Sequence, residues 1–94
     1  MEITNKDKIR KLKHIIRFYK NQPMDDSIFL SDSIKTLRGI FRYENSDQDP
    51  EQALLYAINL YSYLDLDIKK LKLQIKKLIL GYGKLVKKQL KKEK

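Results

Sequence analysis

Residues 68–94 read IKKLKLQIKKLILGYGKLVKKQLKKEK, and the fold of the chain turns on how this stretch is read. At about 100° per residue, Ile68, Leu71, Ile75, Leu78, Ile79, Tyr82, Leu85 and Val86 fall on one stripe of a helix. The rest of its surface is lysine: Lys69, Lys70, Lys72, Lys76, Lys77, Lys84, Lys87, Lys88, Lys91, Lys92 and Lys94 stand against the single acid Glu93. Residues 1–67 carry 10 basic and 11 acidic side chains, so the net charge of +9 belongs to this one element. A helix so poor in acids requires either water or an anionic partner. Gly81 and Gly83 interrupt it, each costing on the order of 1 kcal/mol relative to alanine. The sequence therefore predicts a kink or an end near Gly81-Tyr82-Gly83. Leu85 and Val86 keep the apolar phase, which points to a kink, with residues 84–94 as a second helical piece rather than a mobile tail.

Working back from this rod, Asp49-Pro50-Glu51-Gln52 is the strongest helix start in the chain: a cap, a proline at the first position, then an acid and a glutamine. The helix it opens, to about Leu64, has Leu54, Ala57, Ile58, Tyr61 and Leu64 as its inner face. Gln52, Asn59 and Ser62 mark its polar stripe. Asp67 is placed to cap the basic rod, with Leu66 and Leu71 at the two ends of a hydrophobic staple. Earlier, Asp25, Asp26 and Ser27 can cap a helix on which Leu30, Ile34, Leu37, Ile40 and Phe41 recur. Gly39 inside that pattern predicts the close approach of a neighbouring helix. Tyr43 to Asp49 has no periodicity and reads as a loop. At the start, Thr4 and Asp7 stand in capping-box position before Ile9, Leu12, Ile15, Ile16 and Tyr19, and Pro23 ends that helix. Four amphipathic segments with short polar connections, and no strand alternation, predict an all-α antiparallel four-helix bundle spanning residues 1–94 as one domain.

A chain of 94 residues buries about two-thirds of the surface it exposes unfolded, which permits a modest core. It has no cysteine, which excludes a disulfide framework and thiolate metal sites. Its first residues lack an apolar run, so no secretion signal is expected. The longest unbroken apolar run, Ala53 to Ile58, is far below the roughly 20 residues of a membrane-spanning helix. The chain reads as soluble and intracellular.

Catalysis finds little support. His14 is the sole histidine and falls on the solvent side of its helix, with no cysteine or glycine-flanked serine as partner. Asp25, Asp26, Asp65 and Asp67 sit where helix caps belong. No phosphate-cradling glycine loop or zinc spacing occurs, so no enzyme activity, metal or cofactor is expected.

The basic rod carries more. Leu73 and Leu80 are seven apart, about 120° off the apolar stripe, among Lys69, Lys76, Lys77, Lys84, Lys87 and Lys88. Large leucines on a lysine-rich face read as a contact patch for a membrane surface or a protein at one. The plainer reading packs them under the N-terminal segment or a second copy of the chain. Tyr56 and Tyr63, also seven apart, form a second candidate patch, since aromatic rings with polar tips suit interfaces. Equally, they can cover the flank of the bundle and bond to water. Nucleic acid competes for the charge, but Arg10, Arg17, Arg38 and Arg42 all lie in the first half, and base edges are read by arginine, asparagine or glutamine. Lysine alone supports only non-specific backbone binding. A small nucleic-acid-binding or regulatory bundle is the alternative, and a homodimer through the third helix a further one.

In order, Ile34-Lys35-Thr36-Leu37 leading to Asp49-Pro50, the aromatic-rich Ala57-Ile58-Asn59-Leu60-Tyr61-Ser62-Tyr63-Leu64, and Ile75-Lys76-Lys77-Leu78-Ile79 resemble the immunity proteins of pediocin-like (class IIa) bacteriocins, in particular the enterocin A immunity family. The likeness covers most of the chain, with a fourth helix more uniformly basic here than in that family. It implies a cytosolic protein that protects a Gram-positive producer from its own pore-forming peptide. Such a protein binds the mannose phosphotransferase permease once bacteriocin has engaged it, and its C-terminal half sets specificity. Read from the residues themselves, the expected contact set is Lys69, Leu73, Lys76, Leu80, Lys84, Lys87, Lys88, Tyr56 and Tyr63, on a monomer or weak dimer at the inner membrane face.

Overall fold

A computed structural model of the chain describes residues 4–23 and 25–92. Four helices follow one another: α1 (Asn5–Asn21), α2 (Asp26–Glu44), α3 (Pro50–Ser62) and α4 (Ile68–Lys92). Each starts where a short polar side chain can satisfy free amides. Thr4 Oγ1 accepts from the Asp7 amide at 3.2 Å, Asp25 from Ser27 at 3.1 Å, Asp49 from Glu51 at 3.0 Å and Asp67 from Lys70 at 2.9 Å. Gln22, extended ahead of Pro23, closes α1. α2 reaches Glu44, one residue further than Tyr43, where the polar run was expected to begin the loop. It stops at Asn45 in the left-handed region (φ 65°), with Ser46 donating back to Phe41 and Asn45 to Arg42. That pair of bonds is a Schellman stop, a geometry asparagine tolerates.

The helices run alternately up and down. Asn5 at the start of α1 bonds the Leu90 carbonyl near the end of α4, while Lys76 bonds Gln22 at the far end of α1. Tyr19 and Ser33, then Ile15 and Gly39, set α1 antiparallel to α2. α1 and α3 occupy opposite corners, each packed on α2 and α4, and α2 touches α4 across the middle. Leu12, Tyr19, Phe29, Leu37, Ile40, Phe41, Leu54, Ile75, Ile79, Val86 and Leu90 form one core. The Phe41 and Tyr82 rings meet edge-to-face at 5.7 Å across α2 and α4.

Small residues decide how closely α1 seats. The Tyr19 hydroxyl, buried, pairs with the buried Ser33 hydroxyl at 2.6 Å. A methyl group at Gly39 would lie 2.8 Å from Ile15 Cδ1, and one at Gly83 would lie 2.8 and 2.9 Å from Ile16 Cδ1 and Cγ1. Ile15 and Ile16 thus ride on the two glycines. Gly39 behaves as its place in the sequence predicts. At Gly83, α4 runs unbroken from Ile68 to Lys92, so of the two outcomes expected at Gly81-Tyr82-Gly83 the end of the helix does not occur. Packing on α1 offsets the propensity lost there, and residues 84–92 are helix rather than a tail.

The same contact turns α4 about its axis. Ile75, Ile79, Gly83, Val86 and Leu90 are its buried residues, a sector displaced by about 50° from the stripe expected from hydrophobicity. Ile68, Leu78 and Leu85, all on that stripe, are exposed. Leu85 lies beyond the reach of α3, whose 13 residues span about 20 Å against about 38 Å for α4. Leu64 was expected on the inner face of α3. It lies beyond the end of the helix and is exposed. On α2, Leu30 is exposed while Phe29, Ser33 and Thr36 are buried.

Candidate functional site

The residues singled out on α3 and α4 separate onto two sides of the molecule. Lys76, Leu80, Lys84 and Lys87 lie on the flank of α4 beside α1, and Leu73 shares their line along the helix. Leu73 is 41 % exposed. Leu80 is half-buried and packs against the core, which corrects its reading as an outer-face leucine. The turn of α4 towards α1 draws Leu80 in and leaves Leu78 and Leu85 outside. Lys69, Lys84 and Lys88 are exposed, and by helical phase Lys88 falls opposite the buried sector of α4.

Lys76 is engaged within the molecule. Its Nζ donates to the Gln22 carbonyl at 2.7 Å and stands 5.5 Å from the Tyr19 ring centroid. A cation at the C-terminal end of α1 complements the helix dipole, and partial burial lowers its pKa. The Lys87 ammonium is also pushed below the usual lysine range, first by burial and then by the charges of Lys13, Lys91 and Lys84. On the other side, Tyr56 is 72 % exposed on the outer flank of α3 and Tyr63, in the turn after it, is 86 % exposed. Leu60 and Ile68 are exposed in the same region of sequence. A cleft of about 230 Å³ opens between α2, α3 and α4, lined by Phe41, Ala53, Ala57, Leu78 and Tyr82 among others.

α1 contributes cations that the reading of α4 alone left out. Arg10, Lys13, Arg17 and Lys20 form one wall of a groove whose other wall is Lys84 and Lys87. His14 is exposed at its rim, with no acid-base partner among the groove residues. The spacing three, four and three along α1 was visible in the sequence. Which helix would lie against that flank was not.

Among the described residues no group of three acids or histidines is placed to hold a metal ion. No helix of the described residues is long and apolar enough to cross a membrane. The arrangement offers two surfaces: a cationic two-helix face on one side, and exposed tyrosines and leucines on the other. Comparison of the chain with protein-family models, with curated proteins and with solved structures gives no match.

Proposed function

We propose that this bundle is an immunity protein of the pediocin-like type, which protects the cell producing a pore-forming peptide by association and without chemistry. In this reading it binds the membrane permease of the mannose phosphotransferase system, on the cytosolic side, once the peptide has engaged it. The observation that carries the reading is the exposed apolar and aromatic surface where α3 passes into α4: Tyr56, Tyr63 and Ile68 stand clear of the core. Contiguous exposed apolar groups beside a polar rim suit a protein partner. The α3–α4 half is also where the resemblance to the enterocin A immunity family puts specificity. α4 from Ile68 to Lys92 contains no acid, and its exposed lysines, Lys69, Lys84 and Lys88 among them, can draw the protein towards an anionic surface.

Tyr56→Ala, Tyr63→Ala and Ile68→Asp test this together, since all three side chains are largely outside the core. Leu80 is left intact because it supports the fold. The triple variant is expected to keep the helical circular dichroism of the parent and to lose protection when expressed in a bacteriocin-sensitive strain. Protection equal to the parent's would count against the surface.

A further inference from the structure

α1 and α4 lie side by side and antiparallel, and their facing flanks carry like charge. Arg10, Lys13, Arg17 and Lys20 extend over about 15 Å of α1, ten residues at 1.5 Å each. Lys84 and Lys87 face them from α4 across an open groove of about 430 Å³ with Ile16 at its base. No carboxylate lines it. A second hollow, in which Asp7 pairs with Arg10, continues from Arg10 and Lys13 towards Lys6 and Lys91, so the cations run along both helices rather than gathering at one point. Like charges this close repel, and an anion between the walls would relieve that cost.

We infer that the α1–α4 groove is a phosphate-binding surface for anionic phospholipid headgroups, with Arg10 and Arg17 as its principal ligands. A guanidinium offers two parallel N–H donors to a phosphodiester, where an ammonium acts as a point charge. A bilayer suits the extended, two-helix spread of charge, since several headgroups can be met at once. Leu73 lies on the same line of α4 as Lys84, Lys87 and Lys91, eleven, fourteen and eighteen residues away. That places an exposed apolar side chain where it can enter the headgroup layer. Single-stranded nucleic acid is disfavoured by the lining itself: it is arginine, lysine, histidine and isoleucine, so the His14 imidazole is the one ring among the groove residues and no run of rings is there to stack successive bases. The lowered pKa of Lys87, whose causes include Lys13 across the groove, agrees with crowded cations lacking a counter-ion.

The inference deepens the immunity reading and rests on it only for what the site is for. It assigns the lipid contact to α1 as much as to α4, and leaves the Tyr56–Tyr63 side free for the protein partner. Its test is co-sedimentation with phosphatidylcholine vesicles, with and without phosphatidylglycerol, at physiological salt. The parent should bind only the anionic vesicles. Arg10→Gln with Arg17→Gln should weaken that binding on the order of 30-fold, at about a factor of five per cation near the surface. Arg38→Gln with Arg42→Gln removes the same charge from exposed sites on α2, outside the groove, and should weaken it far less. Thermal melting of each pair checks that it remains folded.

Equal loss in the two pairs would overturn the site, because charge without position would then explain binding. So would undiminished binding by the groove pair. Tighter binding of the parent to a short single-stranded or duplex oligonucleotide, lost in the groove pair, would overturn the lipid in favour of nucleic acid. Protection assays run beside these separate the two readings. A groove pair that has lost vesicle binding but still protects keeps the lipid site and detaches it from immunity.

Discussion

Gly81 and Gly83 sit two residues apart in one helix and differ in what surrounds them. Nothing lies within 4 Å of a methyl group built at Gly81, while one at Gly83 meets Ile16 at 2.8 Å and Ile40 at 3.4 Å. Gly81→Ala is therefore expected to raise stability by about 0.5–1 kcal/mol through helix propensity and the unfolded chain. Gly83→Ala gains the same propensity and loses it to overpacking against the buried Ile16, for a net destabilisation of about 1–3 kcal/mol. Urea unfolding of the two variants, read side by side, checks this, and similar shifts of one sign would refute the account of α1 packing. At this scale the sequence is legible where a residue acts on its own backbone. Thr4, Asp25, Asp49 and Asp67 cap the helices they precede, since a cap needs only the amides two or three residues on. It was not legible where a residue acts through what touches it. Gly83 reads as a helix breaker until Ile16 is known to occupy the space beside it.

Between elements, the Tyr82 hydroxyl of α4 donates to the Glu44 carboxylate of α2. Burial first, then this hydrogen bond and the charge of Glu44, push the Tyr82 phenol above the usual tyrosine range. A pKa raised in the folded state gives stability that is complete below the unfolded value, about pH 10, and is lost as pH rises towards the folded value. Wild-type stability should therefore decline above about pH 10 more steeply than that of Tyr82→Phe. At neutral pH the variant should be less stable by about 1–2 kcal/mol, for a hydrogen bond to a charged group. Chemical denaturation at neutral and alkaline pH measures both effects, and parallel pH profiles would remove the tie from the account. Element boundaries were legible to within a residue or two, because caps, Pro23 and Pro50 act locally. Helix rotation was not. α4 presents a broad apolar arc, and hydrophobicity alone centres it near Ile75 and Tyr82. Contact with α1 centres it on Ile79, Val86 and Leu90 instead.

For the molecule as a whole, charge is the dominant unpaired quantity. The chain carries +9, and the Arg10–Asp7 pair lies within the first turns of α1, leaving the α1–α4 face without an acid in its groove. Self-repulsion of this kind is screened over about 10 Å at 0.1 M salt. The melting temperature is therefore expected to rise as sodium chloride is increased from low to physiological strength, and a fall would mean that attraction between opposite charges outweighs it. The four-helix architecture and its lysine-rich last helix could be read before any coordinates, because periodicity, caps and short connections are properties of neighbouring residues. The candidate surface was legible in part. Tyr56 and Leu73 are exposed as their helical phase implies and Tyr63 is exposed in the turn after α3, whereas Leu80 is drawn against the core and Lys76 is engaged by Gln22 and Tyr19. Sequence by itself determined four capped helices and where their charge resides. Only tertiary structure decided that Arg10 and Arg17, some seventy residues from Lys84 and Lys87, share a groove with them. The physical reason is that two helices meet where small residues let them approach, at Gly39, Gly83 and Ser33. That choice, made by packing rather than by periodicity, settles which side chains become neighbours.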